Sequence, residues 1–219
     1  MPRAFTPNDK YFYRAKEQGY AARSVFKLEE IQNKFRLIKA KDHVLDLGCA
    51  PGSFMQYISE IIGEKGKIIG LDLQKISVQM PRWGISNISN ISNISNISTY
   101  QCDIFDNETL SNIITNNYQL KTTNYRPFNI ITSDLAPNTS GIHSVDCARS
   151  EEMCEQVLEI TKRYLKPNGN LIMKIFQGED FGRIVNETKK LFKKVSCFKP
   201  KACRDRSRET YIIGMKATL

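Results

Sequence analysis

Glycines and carboxylates lie at the ends of several predicted strands. The first strand, His43–Leu47, runs into Asp-Leu-Gly-Cys-Ala-Pro-Gly-Ser at residues 46–53 and then into a helix. Glycines in such a turn let the backbone bend tightly and approach a ligand closely. Asp72 ends the second strand twenty residues after Gly52, the spacing at which a carboxylate meets a ribose diol. Asp103 ends the third strand, where it could accept a hydrogen bond from an adenine amino group, so the pattern predicts a nucleoside pocket.

The turn after the first strand indicates which class of nucleoside cofactor the pocket would bind. A dinucleotide site would carry Gly-x-Gly-x-x-Gly, with the glycines placing a pyrophosphate at the helix N-terminus. Here the turn reads Gly-Cys-Ala-Pro-Gly, and a phosphate-binding Walker lysine is absent. S-adenosylmethionine, an adenosine cofactor without phosphates, fits this layout. A purely structural strand-to-helix turn remains the alternative.

A second group of polar residues follows or lies within later strands. The fourth strand ends in Ser-Asp-Leu-Ala-Pro-Asn, which places Asp134 directly after it, and the fifth reads Leu-Ile-Met-Lys-Ile-Phe, with Lys174 among apolar residues. An aspartate there is often only a turn residue. A lysine in an apolar strand is costly unless it is paired, although an edge position or a snorkelling stem would also explain it. Neighbouring parallel strands would bring Asp134 and Lys174 to the same rim.

The elements that position these residues alternate between strand and helix. Predicted strands are His43–Leu47, Lys67–Leu73, Thr99–Cys102, Asn129–Ser133, Leu171–Phe176, Val195–Lys199 and Glu209–Lys216. Predicted helices are Ser24–Lys34, Ser53–Ile62, Glu108–Asn116, Asp146–Leu165 and Asp180–Phe192. Such alternation indicates an α/β fold, Rossmann-like and doubly wound, with a seven-stranded, mostly parallel sheet. Only the short segment 200–208 separates the last two strands, so these are predicted to be antiparallel neighbours. The chain of 219 residues is expected to form a single domain.

One segment does not fit the alternation. From Ile85 to Ser98 the chain repeats Ile-Ser-Asn almost without variation. A three-residue period matches neither a strand nor a helix, so the segment is predicted to be a low-complexity loop insertion. Its four Asn-x-Ser sequons are interpreted as by-products of the repeat.

Charge and cysteine content limit the classes of partner and site. The net charge is +9, which favours a polyanionic partner such as RNA, with an inert basic surface as the alternative. The basic residues form two clusters, Arg14, Lys16 and Arg23 in one and Lys199, Lys201, Arg204, Arg206 and Arg208 in the other. Six cysteines occur without a Cys-x-x-Cys pair, so no metal site is predicted.

Free thiols also indicate an intracellular, reducing compartment, and cytoplasm, nucleolus and organelle stay open. No run approaches the roughly 20 apolar residues that a membrane span needs. Residues 1–10 lack the apolar stretch of a secretory signal.

Several motifs in the order found here resemble the FtsJ family of RNA ribose 2′-O-methyltransferases. They are Ala-Arg-Ser-Val-Phe-Lys-Leu at 22–28, the turn at 46–53, the segment 133–138, Lys-Ile-Phe-Gln-Gly at 174–178 and Arg-Ser-Arg-Glu-Thr-Tyr at 206–211. The resemblance implies the class I methyltransferase fold, S-adenosyl-L-methionine as cofactor and RNA as partner, with the chain expected to be a monomer. It also implies a catalytic tetrad of Lys27, Asp134, Lys174 and Glu209, and cofactor contacts at Gly52, Phe54, Asp72, Asp103 and Asp134.

Two departures from the family pattern are visible. Phe54 stands where relatives usually carry tryptophan, and the Ile-Ser-Asn segment separates Asp72 from Asp103. Without the resemblance, Lys27 would be interpreted as a solvated helix residue. Glu209 would be interpreted as the first residue of a strand, with no special role.

The implied reaction assigns a role to Lys174. A ribose hydroxyl is a poor nucleophile until its proton is removed, so the site needs a base and an in-line arrangement. Lys174 is the expected base, and the expected substrate is a uridine of large-subunit ribosomal RNA. A tRNA substrate, a non-catalytic RNA-binding ribosome-assembly factor on the same fold and a nucleotide-dependent oxidoreductase are the alternatives.

Overall fold

A seven-stranded sheet forms the centre of the molecule. In a computed structural model, residues 9–76, 96–119, 125–204 and 207–219 are described. The strands are β1 (His43–Leu47), β2 (Lys67–Asp72), β3 (Ile97–Gln101), β4 (Phe128–Ser133), β5 (Leu165–Phe176), β6 (Phe192–Phe198) and β7 (Glu209–Ala217). Their order across the sheet is β3-β2-β1-β4-β5-β7-β6, with β7 antiparallel to both of its neighbours and the other pairs parallel. The predicted mostly parallel sheet with one antiparallel strand is confirmed.

Helices cover both faces of the sheet, as a doubly wound fold requires. They are α1 (Lys10–Glu17), α2 (Val25–Phe35), α3 (Ser53–Ile62), α4 (Asn107–Tyr118), α5 (His143–Tyr164) and α6 (Phe181–Leu191). One core packs α2 and α3 against the sheet, and a larger core packs α4, α5 and α6 against the opposite face. None of the helices within the described ranges is long and apolar enough to cross a membrane.

Helix α1 was not predicted. Its sequence lacks an apolar run, and only Ala15 is buried. The helix begins because Asp9 caps it: the Asp9 side chain accepts hydrogen bonds from the backbone N–H groups of Tyr11 and Phe12, two groups that would otherwise lack a partner.

The predicted boundaries of two strands were wrong. The predicted helix ends at Leu165 and the predicted strand begins at Leu171, whereas β5 already begins at Leu165, which pairs with Phe128 of β4. A register shift between Phe128 and Ile130 absorbs the turn-like residues, as a β-bulge does. Strand β1 and helix α3 have the predicted bounds, and the remaining predicted elements differ from prediction by a few residues at their ends.

The predicted insertion also ends too late. Ile97 and Ser98 pair with Ile68 and Ile69 of β2. The Asn96 side chain is buried, donates to the carbonyl of Gly63 at 2.8 Å and accepts from the Ser59 hydroxyl at 3.2 Å. The last three residues of the predicted loop are therefore part of the sheet and its support, while residues 77–95 lie outside the described residues.

Candidate active site

The turn between β1 and α3 is shaped by two glycines. Gly48 and Gly52 have φ of 73° and 108°, in the region where side chains other than glycine's are strained. A Cβ on Gly48 would also come within 2.8 Å of the Leu135 side chain. The backbone N–H groups of Gly48 and Cys49 donate to the carbonyl of Leu71, so the turn is held against the end of β2.

Asp72 and Asp103 lie at the carboxyl ends of neighbouring strands. Asp72 accepts hydrogen bonds from the N–H of Ala50 at 2.9 Å and of Gln74 at 2.8 Å, which fix its carboxylate beside the turn. Asp103 is exposed and accepts from the N–H of Phe105 at 3.0 Å. Both carboxylates are therefore placed where the nucleoside pocket was predicted, at the rim that parallel strands share.

Phe54, an expected cofactor contact, is a buried residue. Its side chain is buried in the core between α3 and the sheet, with 4% of its surface exposed. Phe54, two residues after Gly52, therefore packs in the hydrophobic core. A contact between this ring and the cofactor rests on the family resemblance alone.

Asp46 is a buried carboxyl group that was not predicted to have a role of its own. The Thr132 hydroxyl donates to its Oδ1 at 2.6 Å, whereas Oδ2 is buried and has no hydrogen-bond partner among the described residues. Burial, and then the carboxylates of Asp134 and Asp72, raise the pKa of Asp46 to about 7. A carboxyl oxygen left without a partner next to the glycine turn fits a ligand with a positively charged group, and S-adenosylmethionine carries both a sulfonium and an amino group.

Lys174 and Asp134 form an ion pair at the same rim. Ser133 of β4 pairs with Met173 of β5. The residues that follow these two, Asp134 and Lys174, therefore lie side by side. The Lys174 Nζ is 3.0 Å from Asp134 Oδ1 and donates to the Asp134 carbonyl oxygen at 2.6 Å. Since β5 lies between β4 and β7 and Lys174 is buried, the edge-strand and snorkelling alternatives are wrong.

Lys27 and Glu209 form a second buried ion pair, with 2.8 Å between Nζ and Oε2. Burial by itself would lower the pKa of Lys27, but the Asp134 and Glu209 carboxylates outweigh it and the pKa is raised. Burial would likewise raise the pKa of Asp134, but the ammonium groups of Lys174 and Lys27 hold it below its ordinary value. The two ion pairs thus form one cluster of two cations and two anions. The interpretation of Lys27 as a solvated residue is wrong.

Tyr211 completes the cluster and was missed from the sequence. Its hydroxyl donates to Asp134 Oδ1 at 2.6 Å, and the residue pairs with Lys174 across β5 and β7. Burial and the charge of Asp134 raise the pKa of this fully buried phenol well above its ordinary value, so it acts as a donor. Strand alternation places Tyr211 on the same face as Glu209, and that signal could have identified it.

Two basic clusters that are distant in the sequence meet beside this site. Arg23 forms an ion pair with Asp9 and donates to the carbonyl of Ala202. Burial lowers the pKa of Arg23, and the charge of Arg204 lowers it further. Arg206 of the second cluster lies outside the described residues. The charges of Arg23 and Arg204 therefore lie near one another and near Glu209.

Metal ligands and disulfides are not part of this arrangement. Over the ranges that the structure describes, no three His, Cys, Asp or Glu side chains group in a way that could hold a metal ion. All six cysteines have free thiols.

Comparison with known proteins identifies close relatives over nearly the whole chain. The family model described as FtsJ-like methyltransferase matches residues 20–217. A protein named ribosomal RNA large subunit methyltransferase E from Bdellovibrio bacteriovorus is 40% identical over 96% of this chain and 97% of its own. A protein of the same name from Syntrophobacter fumaroxidans is 36% identical over 97% and 98%.

Solved structures agree with this assignment. A ribosomal RNA methyltransferase from Plasmodium falciparum superposes with a TM-score of 0.69 at 27% identity, over 90% of this chain and 98% of that one. Aeropyrum pernix fibrillarin with natively bound S-adenosyl-L-methionine, at 18% identity and a TM-score of 0.51 over 82% and 68% of the two chains, shows the shared fold. The chain is a member of the FtsJ-like methyltransferase family, an enzyme that uses S-adenosyl-L-methionine.

Proposed function

We propose that this enzyme methylates a ribose 2′-hydroxyl of large-subunit ribosomal RNA, on a uridine, with Lys174 as the general base. The observation that carries the proposal is the position of the Lys174 amine. It is buried at the rim of the sheet and held by two oxygens of one residue, Asp134 Oδ1 and the Asp134 carbonyl. An amine held in this way is oriented before the substrate arrives, which is what an efficient base requires.

The hydrogen bonds of Lys174 define where a proton can be accepted. A lysine nitrogen has three tetrahedral positions besides its bond to carbon, and its ammonium form is a donor at all three. Two of these positions point to Asp134. In the neutral amine both can remain N–H donors, so the third is the lone pair. The proton of the ribose hydroxyl would pass to that lone pair, which returns Lys174 to its ammonium form.

The neighbouring residues hold this geometry. Tyr211 donates to the same carboxylate oxygen that Lys174 contacts, which limits how Asp134 can turn. Lys27, anchored by Glu209, places a second positive charge near Asp134 and stabilises the developing negative charge of the attacking oxygen. The proton would leave the ribose oxygen for Lys174 as that oxygen forms its bond to the methyl carbon. The bond from that carbon to the cofactor sulfur would break, with its electron pair going to sulfur and S-adenosylhomocysteine leaving.

The cofactor residues of this chain lie on the other side of Asp134. Asp72 would hold the ribose diol, Asp103 the adenine amino group, and the turn at Gly48 and Gly52 would let the backbone approach closely. Bound S-adenosylmethionine supplies an electrophilic methyl group on a sulfonium. The Asp46 carboxyl group, whose Oδ2 has no hydrogen-bond partner within the described ranges, would favour the positive charge of that cofactor.

The choice of ribosomal RNA rests on two observations. The curated relatives compared above are named ribosomal RNA large subunit methyltransferases. The neighbouring charges of Arg23 and Arg204 fit a phosphate backbone. Free thiols at all six cysteines support a reducing, intracellular compartment for the reaction.

Methylation assays with three purified substrates test which RNA the enzyme methylates. Large ribosomal subunits, naked large-subunit RNA and tRNA would be incubated with enzyme and isotopically labelled S-adenosylmethionine. The labelled position would then be mapped by its resistance to alkaline hydrolysis, since a 2′-O-methyl group removes the attacking hydroxyl. We expect one labelled uridine in large-subunit RNA. Labelled tRNA alone, a base methyl group, or binding of RNA without methyl transfer would contradict the proposal.

A further inference from the structure

Two neighbouring aromatic side chains of α1 are exposed. Phe12 and Tyr13 have 39% and 59% of their surface accessible, and their rings pack edge to face with 5.5 Å between centroids. Isolated exposed aromatic residues are common on protein surfaces. Two in contact on one short helix form an apolar surface that water solvates poorly, and such a surface indicates a binding function.

The charge of the helix indicates what kind of partner fits. Besides the aromatic residues, α1 carries Lys10, Arg14 and Lys16 against one acidic residue, Glu17. Arg14 forms an ion pair with Glu29 at 3.2 Å, but this pair is largely exposed and contributes little. A basic helix with exposed rings combines two features of single-stranded nucleic acid binding, attraction of the phosphate backbone and stacking of the bases.

Packing fixes α1 against the part of α2 that carries Lys27. Ala15 is buried, and the Tyr11 ring lies 5.7 Å from the ring of Phe26, the residue before Lys27. The Arg14 guanidinium lies 4.2 Å from the centre of the same Phe26 ring. The helix that carries the exposed rings is therefore packed against the residue that precedes Lys27 of the catalytic cluster, and RNA bound at the cluster could extend along it.

We propose that Phe12 and Tyr13 form a stacking platform for unpaired bases that flank the target nucleotide. The proposal rests on the proposed function, because it takes the polyanion at this surface to be the RNA substrate. Bases in a duplex are already stacked and paired, so the platform would recognise a single-stranded or locally opened segment. Both rings accept any base face, so the platform adds affinity and places the strand with little sequence preference.

Binding of a short single-stranded oligoribonucleotide with one 2-aminopurine tests this platform. The double variant Phe12→Ala/Tyr13→Ala should bind roughly five- to a hundredfold more weakly, the range that loss of base–aromatic stacking gives. The fluorescence quenching of 2-aminopurine that stacking causes should be lost as well. The exchange variant Phe12→Tyr/Tyr13→Phe keeps both rings and should behave like the wild type.

The salt dependence separates stacking from charge. The double variant removes no positive charge, so the slope of log affinity against log salt should stay that of the wild type.

Tyr125→Ala is the matched control, because Tyr125 is 43% exposed but precedes the amino end of β4, whereas the catalytic cluster lies at its carboxyl end. The same strand annealed to its complement should bind wild type and double variant equally. A thermal melt with S-adenosylhomocysteine checks that each variant is folded.

Wild-type affinity and quenching in a folded double variant would overturn the platform, and a protein partner would then be the better explanation of the exposed rings. That result would leave methyl transfer to ribosomal RNA unaffected. Conversely, the platform stands and the proposed function fails if the double variant loses stacking while the wild type methylates none of the RNAs. No binding of single-stranded RNA by the wild type would overturn the platform directly.

Discussion

Replacement of Asp46 by asparagine isolates the cost of burying its charge. The side chain keeps its shape, and the amide oxygen of asparagine can still accept the hydrogen bond from Thr132, 2.6 Å from Oδ1 in the wild type. The change removes the negative charge and places an NH₂ group where Oδ2 has no hydrogen-bond partner in the described part of the chain. A difference in stability that varies with pH therefore reports the ionisation of Asp46.

The size of this difference follows from the pKa of Asp46 in the folded state, raised from 3.8 to about 7 chiefly by burial. Because the folded pKa lies above the unfolded one, the stabilisation by protonated Asp46 is complete below about pH 4 and is lost as pH rises through about 7. Each pKa unit corresponds to about 1.4 kcal/mol, so ionisation costs the folded state about 4 kcal/mol in total. About 3 kcal/mol of this falls between about pH 5 and pH 9.

Urea denaturation of wild type and Asp46→Asn across that pH range measures the effect. The free energy of unfolding of the wild type should fall relative to the variant by about 3 kcal/mol as pH rises. Glu108→Gln, a change of an exposed carboxylate in the first turn of α4, is the matched control and should run parallel to the wild type. Parallel curves for wild type and Asp46→Asn would refute the reasoning, since Asp46 would then not titrate in this range.

Three further changes test the cofactor pocket, the sheet boundary and the catalytic cluster. Asp72→Ala should raise the dissociation constant for S-adenosylhomocysteine about ten- to a hundredfold in calorimetric titration, because a charged acceptor contributes about 1.5–3 kcal/mol; unchanged affinity would contradict its ribose role. Replacing residues 85–95 by a Gly/Ser linker should preserve folding and methyl transfer, whereas replacing 85–98 should lower the melting temperature, because the longer deletion removes two residues of β3. Equal melting temperatures would contradict this boundary. Tyr211→Phe keeps the ring and loses the bond to Asp134, so single-turnover methyl transfer should slow about tenfold or more with unchanged cofactor binding; an unaltered rate would show that Asp134 needs no such support.

Much of the fold could be predicted because local signals agreed with the tertiary structure. Strand β1 and helix α3 have the predicted bounds, since an apolar run and a glycine turn mark them clearly. Helix α1 was missed because a capping aspartate and packing of one face create it, without apolar periodicity. The start of β5 was misplaced because Pro167 and Gly169 read as a turn, whereas pairing with β4 draws them into the strand.

The site was predictable only in part for a similar reason. Asp134 and Lys174 stood out because a carboxylate after a strand and a lysine within one are visible in the pattern. Lys27 and Glu209 depended on the family resemblance, since their burial arises only when α2 packs near β7. Asp46 lies within the noted turn, but its missing hydrogen-bond partner is a property of the packed structure.

The role of Lys174 as the base is tested most directly by single-turnover methyl transfer at saturating cofactor and RNA. Lys174→Ala should lower the rate about a hundred- to ten-thousandfold, the usual contribution of general-base catalysis, while cofactor and RNA still bind. Lys174→Arg should fail to restore it, because a guanidinium stays protonated and cannot accept the hydroxyl proton. A near-normal rate for Lys174→Arg would contradict the account, since Lys174 would then supply only a positive charge.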